Sequence, residues 1–276
     1  MTTMKGKVAL VTGAAGAIGK PMCVELAKRG ARLVMAGRAP QIHAAADEVR
    51  AASGSATVEV LELDLASLDS IRSAADDFKR RFSQLHVLIN NAAVFSKQRR
   101  TTADGFELVM GTNHLGHFLL TNLLLDTIKA SAPARVVMMT MSTKVPIDFD
   151  DFMLEKKYSG LTALQMSKGA ITSFALELAK RLEGTGVIVN AVNPELTKST
   201  LPREAPFPLR AVFALFGASP ERSKDYGIRV ACDDAMANVT GRFFRKDVEK
   251  PVPEVHADAA IRARLWSESA RRVGLA

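Results

Sequence analysis

Six short apolar runs, alternating with stretches of helical spacing, constrain this chain more than any other feature. Val8 to Val11, Leu33 to Met35, Val58 to Leu63, Val87 to Ile89, Val136 to Met138 and Val187 to Val189 are rich in valine, isoleucine and leucine. Runs this short and this apolar suit strands buried on both faces. Between them, apolar residues recur at helical spacing over about Ile18 to Lys28, Gln41 to Ala52, Ser67 to Phe82, Leu108 to Ile128 and Thr162 to Leu182. Gly30 suits the left-handed position that closes the first of these helices. Parallel strands need helical crossovers of one hand, so the pattern predicts an α/β chain with a doubly wound parallel sheet of about seven strands and helices on both faces. In such sheets ligands bind at the carboxyl ends of the strands.

Composition narrows the classes of function. At 276 residues, 47% hydrophobic and 24% charged, the chain reads as a single domain, 1–276, without repeats or low-complexity tracts. Its two cysteines, Cys23 and Cys232, are too few and too far apart for a disulfide framework or a metal cluster, which fits a cytoplasmic protein with no metal. The longest apolar stretches, such as Phe118 to Leu125 with Thr121 and Asn122 inside, fall short of the roughly 20 residues that span a bilayer. A net charge of +8 invites a nucleic-acid reading, but the densest basic cluster, Lys97 to Arg100, reads as a solvated loop without a nucleic-acid-binding motif. A phosphate-bearing cofactor is the more economical anionic partner.

The chemistry begins where the first run meets the first helix, at Thr12-Gly13-Ala14-Ala15-Gly16-Ala17-Ile18-Gly19. Glycines there permit a tight turn and let backbone approach a pyrophosphate, while the helix N-terminus offers unpaired N–H groups. A plain strand-to-helix turn would also carry glycines. Three further motifs follow at suitable strand ends: Asp64-Leu65, Asn90-Asn91-Ala92, and Asn113 within Thr112-Asn113-His114-Leu115-Gly116-His117-Phe118. Together these resemble the short-chain dehydrogenase/reductase family, whose fold is of the Rossmann type. The stretches Gly116 to Leu120, Glu177 to Asn190, Gly241 to Phe244 and Ala263 to Trp266 look most like its retinol-dehydrogenase-like branch.

That resemblance implies a nicotinamide dinucleotide held by Gly13, Ala15, Gly16, Ile18 and Gly19, with Asp64 and Leu65 facing the adenine and Asn91 and Ala92 along its ribose. Lys168, Pro194 and Thr197 are expected at the nicotinamide end. Cofactor choice turns on Gly37-Arg38 after the second strand. An acid there would take the ribose 2′-hydroxyl, whereas a guanidinium favours a 2′-phosphate, so Arg38 predicts NADP(H) unless it is only a solvated surface arginine.

The catalytic pattern departs from the family. Ordinary members carry a tyrosine four residues before the lysine, so that the ammonium lowers the pKa of the phenol. Here the segment is Leu164-Gln165-Met166-Ser167-Lys168, with lysine present and leucine in the tyrosine position. Tyr158 is the nearest phenol, six residues earlier. The helper hydroxyl after the fifth strand falls to Ser142 if a bulge aims it inward, and otherwise Ser142 is a turn residue. Beyond the sixth strand, Asn193-Pro194-Glu195 places a carboxylate where the family has glycine, available as an acid or base or as half of a salt bridge. The candidate catalytic set is Asn113, Ser142, Lys168 and Glu195.

From about 195 to 220 the chain is apolar, with Leu201, Phe207, Leu209, Phe213 and Phe216. This is a substrate lid suited to a lipophilic small molecule, or a helix packed on the core or on a partner. Three functions remain open: an NADP(H)-dependent oxidoreductase on a lipophilic carbonyl or alcohol, a non-redox cyclase, isomerase or lyase, and a cofactor-binding protein without catalysis. Pairing through the long fourth and fifth helices, as related folds do, suggests a homodimer or homotetramer.

Overall fold

The computed structural model describes residues 2–194 and 219–275. Eight strands form one sheet in the order β3-β2-β1-β4-β5-β6-β7-β8. They are β1 (Val8–Thr12), β2 (Arg32–Gly37), β3 (Val58–Glu62), β4 (Val87–Asn90), β5 (Ala134–Met139), β6 (Val187–Asn193), β7 (Phe243–Arg245) and β8 (Val248–Lys250). All pairings are parallel except β7 with β8. The strand order reverses between β1 and β4, which opens a crevice at their carboxyl ends.

Strand alternation divides the core in two. Leu10, Val34, Leu88, Val136 and Val189 face one layer, built on α3 (Leu68–Arg81), α5 (His117–Leu123) and α7 (Gly160–Arg181). Ala9, Val11, Leu33, Met35, Ile89 and Val137 face the other, built on α1 (Gly19–Lys28), α2 (Gln41–Ser53) and α8 (Pro220–Cys232). Each fully buried Leu or Ile contributes about 1.5–3 kcal/mol, so a sheet sandwiched on both sides needs the near-continuous apolar strands seen in the sequence.

Local signals set the helix ends. Ser67 caps α3 by accepting from the Ser70 amide at 3.2 Å, and Lys79, Arg80 and Arg81 complement its last turn. Ser159 caps α7 in the same way through Thr162. By contrast Ile18 gives α1 no side-chain cap; within the first turn the Lys20 amide donates to the Gly16 carbonyl at 2.9 Å, that of Met22 to the Ile18 carbonyl at 3.3 Å, and Pro21 has no N–H.

One expected element needs correction. The helix predicted as continuous over Leu108 to Ile128 is α4 (Leu108–Met110), a π-helical segment Gly111–Gly116, α5, and α6 (Leu125–Ala130) after a break at Leu124. Glu107 starts it by accepting from Val109 and Met110 at 2.9 and 2.7 Å. Such π segments concentrate at functional sites, and this one carries Asn113.

The C-terminal elements are α9 (Glu254–Ala257) and α10 (Ala259–Arg272). Trp266 of α10 lies against Phe118 and Phe174, with ring centroids at 5.1 and 5.7 Å, and Arg181 covers the indole at 4.0 Å. His114 and Ser269 are bonded at 2.8 Å. Thus α10 fills the groove between α5 and α7. Among the described residues, no helix is long and apolar enough to cross a membrane.

Candidate functional site

A cavity of about 390 Å³ opens at the carboxyl ends of β1, β2 and β4. Its wall includes Gly13, Ala15, Gly16 and Ile18 from the first turn, Arg38 after β2, Asp64 and Leu65 after β3, and Asn91 and Ala92 after β4. The sequence assigned these residues to one ligand, and the fold brings them to one wall. Gly19 stands behind them, fully buried at the start of α1.

The cradle is held by close backbone packing. Gly13 has a φ of +62°, and a Cβ there would lie 2.7 Å from the Cα of Ala92. A Cβ on Gly19 would come within 2.2 Å of the Gly13 carbonyl oxygen. Both contacts are against backbone, so neither position has space for a side chain. The two turns are joined by Thr12, whose Oγ1 accepts from the amides of Asn91 and Ala92 at 2.9 and 3.1 Å. Asn91 answers by donating Nδ2 to the Thr12 carbonyl at 3.0 Å.

Asp64 shapes the far wall. Its carboxylate accepts from the Ala66 amide at 2.9 Å, and its own amide donates to Ser70 Oγ at 2.9 Å. Arg38 is exposed at the mouth, and its guanidinium has no ion pair or hydrogen bond among the described residues. Within the same wall, buried Thr112 carries an Oγ1 without a partner among the described residues. The glycine cradle at the start of α1 fits a dinucleotide.

A second group of polar residues lies deeper, around the π segment and α7. Asn113 is fully buried and has every side-chain atom engaged: Oδ1 accepts from the Val94 amide at 2.8 Å, and Nδ2 donates to the Val94 carbonyl and to Ser167 Oγ. Lys168 is buried and donates Nζ to the Met139 carbonyl at 2.9 Å. Burial lowers its pKa to about 8, because the apolar surroundings disfavour the ammonium. Leu164 lies one turn earlier on α7, half-buried.

The other expected residues do not join this group. Ser142 is exposed, without a hydrogen-bond partner among the described residues, and lies outside the cavity wall. The hydroxyl that faces α7 belongs to Thr140, which donates to the Lys168 carbonyl at 2.7 Å. Tyr158 is also elsewhere: its hydroxyl donates to the Ser96 carbonyl at 2.9 Å, and burial with nearby Glu107 pushes its pKa up to about 12. Pro194 is buried just past β6. Glu195, Thr197 and the lid at about 195–220, save for its last two residues, lie outside the described residues.

Sequence reasoning assigned no role to Thr12, Thr112, Ser167 or His117. Each stands beside or within a quoted motif, but which atoms it satisfies depends on the π segment, and periodicity does not reveal one.

The family model described as short chain dehydrogenase matches residues 7–206. Human retinol dehydrogenase 13 is 41% identical over 99% of this chain and 86% of its own length. Mouse retinol dehydrogenase 14 is 38% identical over 99% and 87%. An uncharacterized protein from Mycobacterium paratuberculosis superposes with a TM-score of 0.77 at 31% identity, covering 99% of this chain and 96% of that one. The Pseudomonas aeruginosa RhlG/NADP active-site complex superposes with a TM-score of 0.70 at 25% identity, over 92% and 98%. A nicotinamide dinucleotide is therefore the class of cofactor that suits the cavity, and the chain belongs to the short chain dehydrogenase family.

Proposed function

We propose that this chain is an NADP(H)-dependent oxidoreductase acting on a lipophilic small-molecule carbonyl or alcohol, with Leu164 in the position the family gives to its tyrosine. The observation that carries the choice of cofactor is Arg38. It follows Gly37 at the end of β2, lines the cavity, and its guanidinium is uncommitted among the described residues. A charge-assisted bond to a 2′-phosphate is worth about 1–3 kcal/mol, and no acid at this turn competes for a 2′-hydroxyl. In this reading Gly13, Ala15, Gly16, Ile18 and Gly19 hold the pyrophosphate, Asp64, Leu65, Asn91 and Ala92 the adenosine, and Lys168, Pro194 and Thr197 the nicotinamide end. Retinol dehydrogenases among the relatives and the apolar segment near 195–220 support a lipophilic substrate.

When bound, the dinucleotide supplies the hydride; the protein must supply the proton. Ser142 and Tyr158 stand apart from the polar group of the π segment and α7, one exposed and without a partner among the described residues and the other bonded to Ser96. Lys168 remains, as an ammonium whose pKa near 8 suits proton donation at neutral pH, directly or through a water. Asn113 fixes the π segment beside it. Glu195 is the second candidate donor.

A second reading is a non-redox enzyme or a cofactor-binding protein without catalysis, and Leu164 favours it because an alkyl side chain exchanges no proton. The two separate in one assay: NADPH oxidation with a panel of lipophilic carbonyls by wild type, Leu164→Tyr and Glu195→Gln. The oxidoreductase reading expects measurable turnover in wild type and a gain of about tenfold or more in Leu164→Tyr. Turnover absent in wild type, with substrate converted without NADPH oxidation or not at all, would establish the second. Homo-oligomers paired through the helical stretches at Leu108 to Ile128 and Thr162 to Leu182 would have to use the parts of α5 and α7 that α10 leaves uncovered.

A further inference from the structure

His117 is buried, titratable and bonded at both ring nitrogens, yet no step of the reaction needs it. Its Nδ1 lies 2.8 Å from the Asn113 carbonyl and its Nε2 lies 2.9 Å from Thr12 Oγ1. Those partners belong to the two groups of residues described above, one in the cradle and one on the π segment.

The bonding admits a single protonation state. A backbone carbonyl only accepts, so Nδ1 must carry the hydrogen. Nε2 is then an acceptor and must receive the Thr12 hydroxyl proton. Thr12 Oγ1 thereby has its proton on His117 and its two lone pairs on the amides of Asn91 and Ala92. Every atom in this chain of bonds is satisfied. The opposite tautomer would set an unprotonated Nδ1 against the Asn113 oxygen and leave the threonine proton only the Ile89 carbonyl, at 3.5 Å. Protonating both nitrogens would force a third donor onto Thr12 Oγ1. Burial and the Lys168 ammonium act in the same direction, lowering the pKa of His117 to about 4.

We propose that His117, as a neutral imidazole, is a positioning residue that fixes the dinucleotide cradle at Thr12, Asn91 and Ala92 relative to Asn113 on the π segment. The role rests on reading the cavity as a nicotinamide-dinucleotide site. A terminal hydrogen-bond strut of this kind converts the location of the catalytic helix into the location of two backbone turns. No other hydrogen bond between described residues joins Thr12 to the π segment.

Two substitutions divide the strut. The amide of glutamine reaches the place of Nε2 and can accept from Thr12, whereas that of asparagine reaches the place of Nδ1 and can donate only to Asn113. NADPH affinity, measured by calorimetry well below the unfolding temperature, should stay within about threefold of wild type in His117→Gln. It should fall about tenfold or more in His117→Asn, the equivalent of one lost hydrogen bond. Thr12→Ser should bind like wild type and Thr12→Val should weaken like His117→Asn, which keeps the question open to measurement if one histidine variant fails to fold. Nitrogen NMR of the wild-type ring should show one tautomer, protonated at Nδ1. Equal affinities for the Gln and Asn variants, or a ring protonated at Nε2, would overturn the proposal. If wild type binds neither NADPH nor NADH, the cofactor reading fails instead. The tautomer, and the shift of the Asn91 and Ala92 amide resonances in His117→Asn, then decide the strut without a ligand: an Nε2-protonated ring or unmoved amides refute it.

Discussion

In the proposed reading the cradle around Gly13 and the polar group around Lys168 address one problem, placing a ligand against the sheet, with opposite materials. The cradle is mostly backbone: Gly13 and Gly19 leave no room for a Cβ, Thr12 ties two turns, and the ionisable side chains of its wall, Arg38 and Asp64, stand at the rim and the far side. The polar group is side chain: Asn113, His114, His117 and Lys168 are all buried, and all but Asn113 can titrate. A backbone site tolerates pH and little else in sequence; a side-chain site tolerates substitution at individual positions and is sensitive to protons. The departure we propose at Leu164 falls in the second kind of site.

That contrast is tested most strongly by acid. Burial lowers His114 to about 3 and His117 to about 4, so both are neutral in the folded chain and charge freely in the unfolded one, near 6.5. The unfolded state then binds more protons below pH 6.5, and stability is full above that value and falls as pH drops toward 4. Linkage puts the loss at about 3–5 kcal/mol per histidine at most, comparable with the whole stability of many domains. Urea unfolding between pH 8 and pH 4.5 should show this slope, and His114→Phe should flatten it. A curve level over that range would mean that the π segment opens to water before it unfolds.

Steric substitution probes the other side. In Gly19→Ala the new methyl meets the Gly13 carbonyl, and overpacking against backbone costs about 1–3 kcal/mol or more, with the α1 N-terminus displaced from the cavity. Thermal unfolding should fall, and NADPH binding should fall further than stability does. A variant that melts early yet binds NADPH normally would show that the cradle is not the pyrophosphate site.

Arg38→Ala should act within the cradle without touching its backbone. NADPH affinity should drop by about 1–3 kcal/mol and NADH affinity should stay unchanged, since the guanidinium addresses only the added phosphate. Calorimetry with both cofactors measures the difference. Equal affinities in wild type would leave Arg38 as a solvated surface residue.

The same contrast explains what could be read from sequence. Backbone sites advertise themselves through glycine spacing, and sheet strands through short apolar runs, so the order of β1 to β6, the cradle and Arg38 at its mouth were legible. Strand β8 was not: Val248–Lys250 is exposed throughout and has no apolar signal. Nor was the π segment, because its added residue leaves apolar spacing nearly unchanged while rotating Asn113 and His117 to new partners. Ser142 failed as the inward hydroxyl because β5 ends at Met139 and the next hydroxyl, Thr140, is already committed to α7. A side-chain site depends on such rotations, and spacing alone does not fix them.

The smallest expected effect sharpens the question of the proton. Tyr158 is the phenol nearest in sequence to Leu164, and its hydroxyl donates to the Ser96 carbonyl while its ring packs on the core. If that bond is its whole purpose, Tyr158→Phe keeps the ring contacts and loses one hydrogen bond, a cost of about 0.5–1.5 kcal/mol in stability. Its pKa near 12 points the same way, since a phenol raised by burial and by Glu107 gives up its proton less readily than a free one. Turnover with lipophilic carbonyls, where wild type shows it, should therefore be unchanged in Tyr158→Phe, with a small drop in thermal midpoint. A fall of about a hundredfold in turnover with stability intact would instead identify Tyr158 as the donor, and would mean that the segment from Ser96 to Tyr158 rearranges when substrate binds.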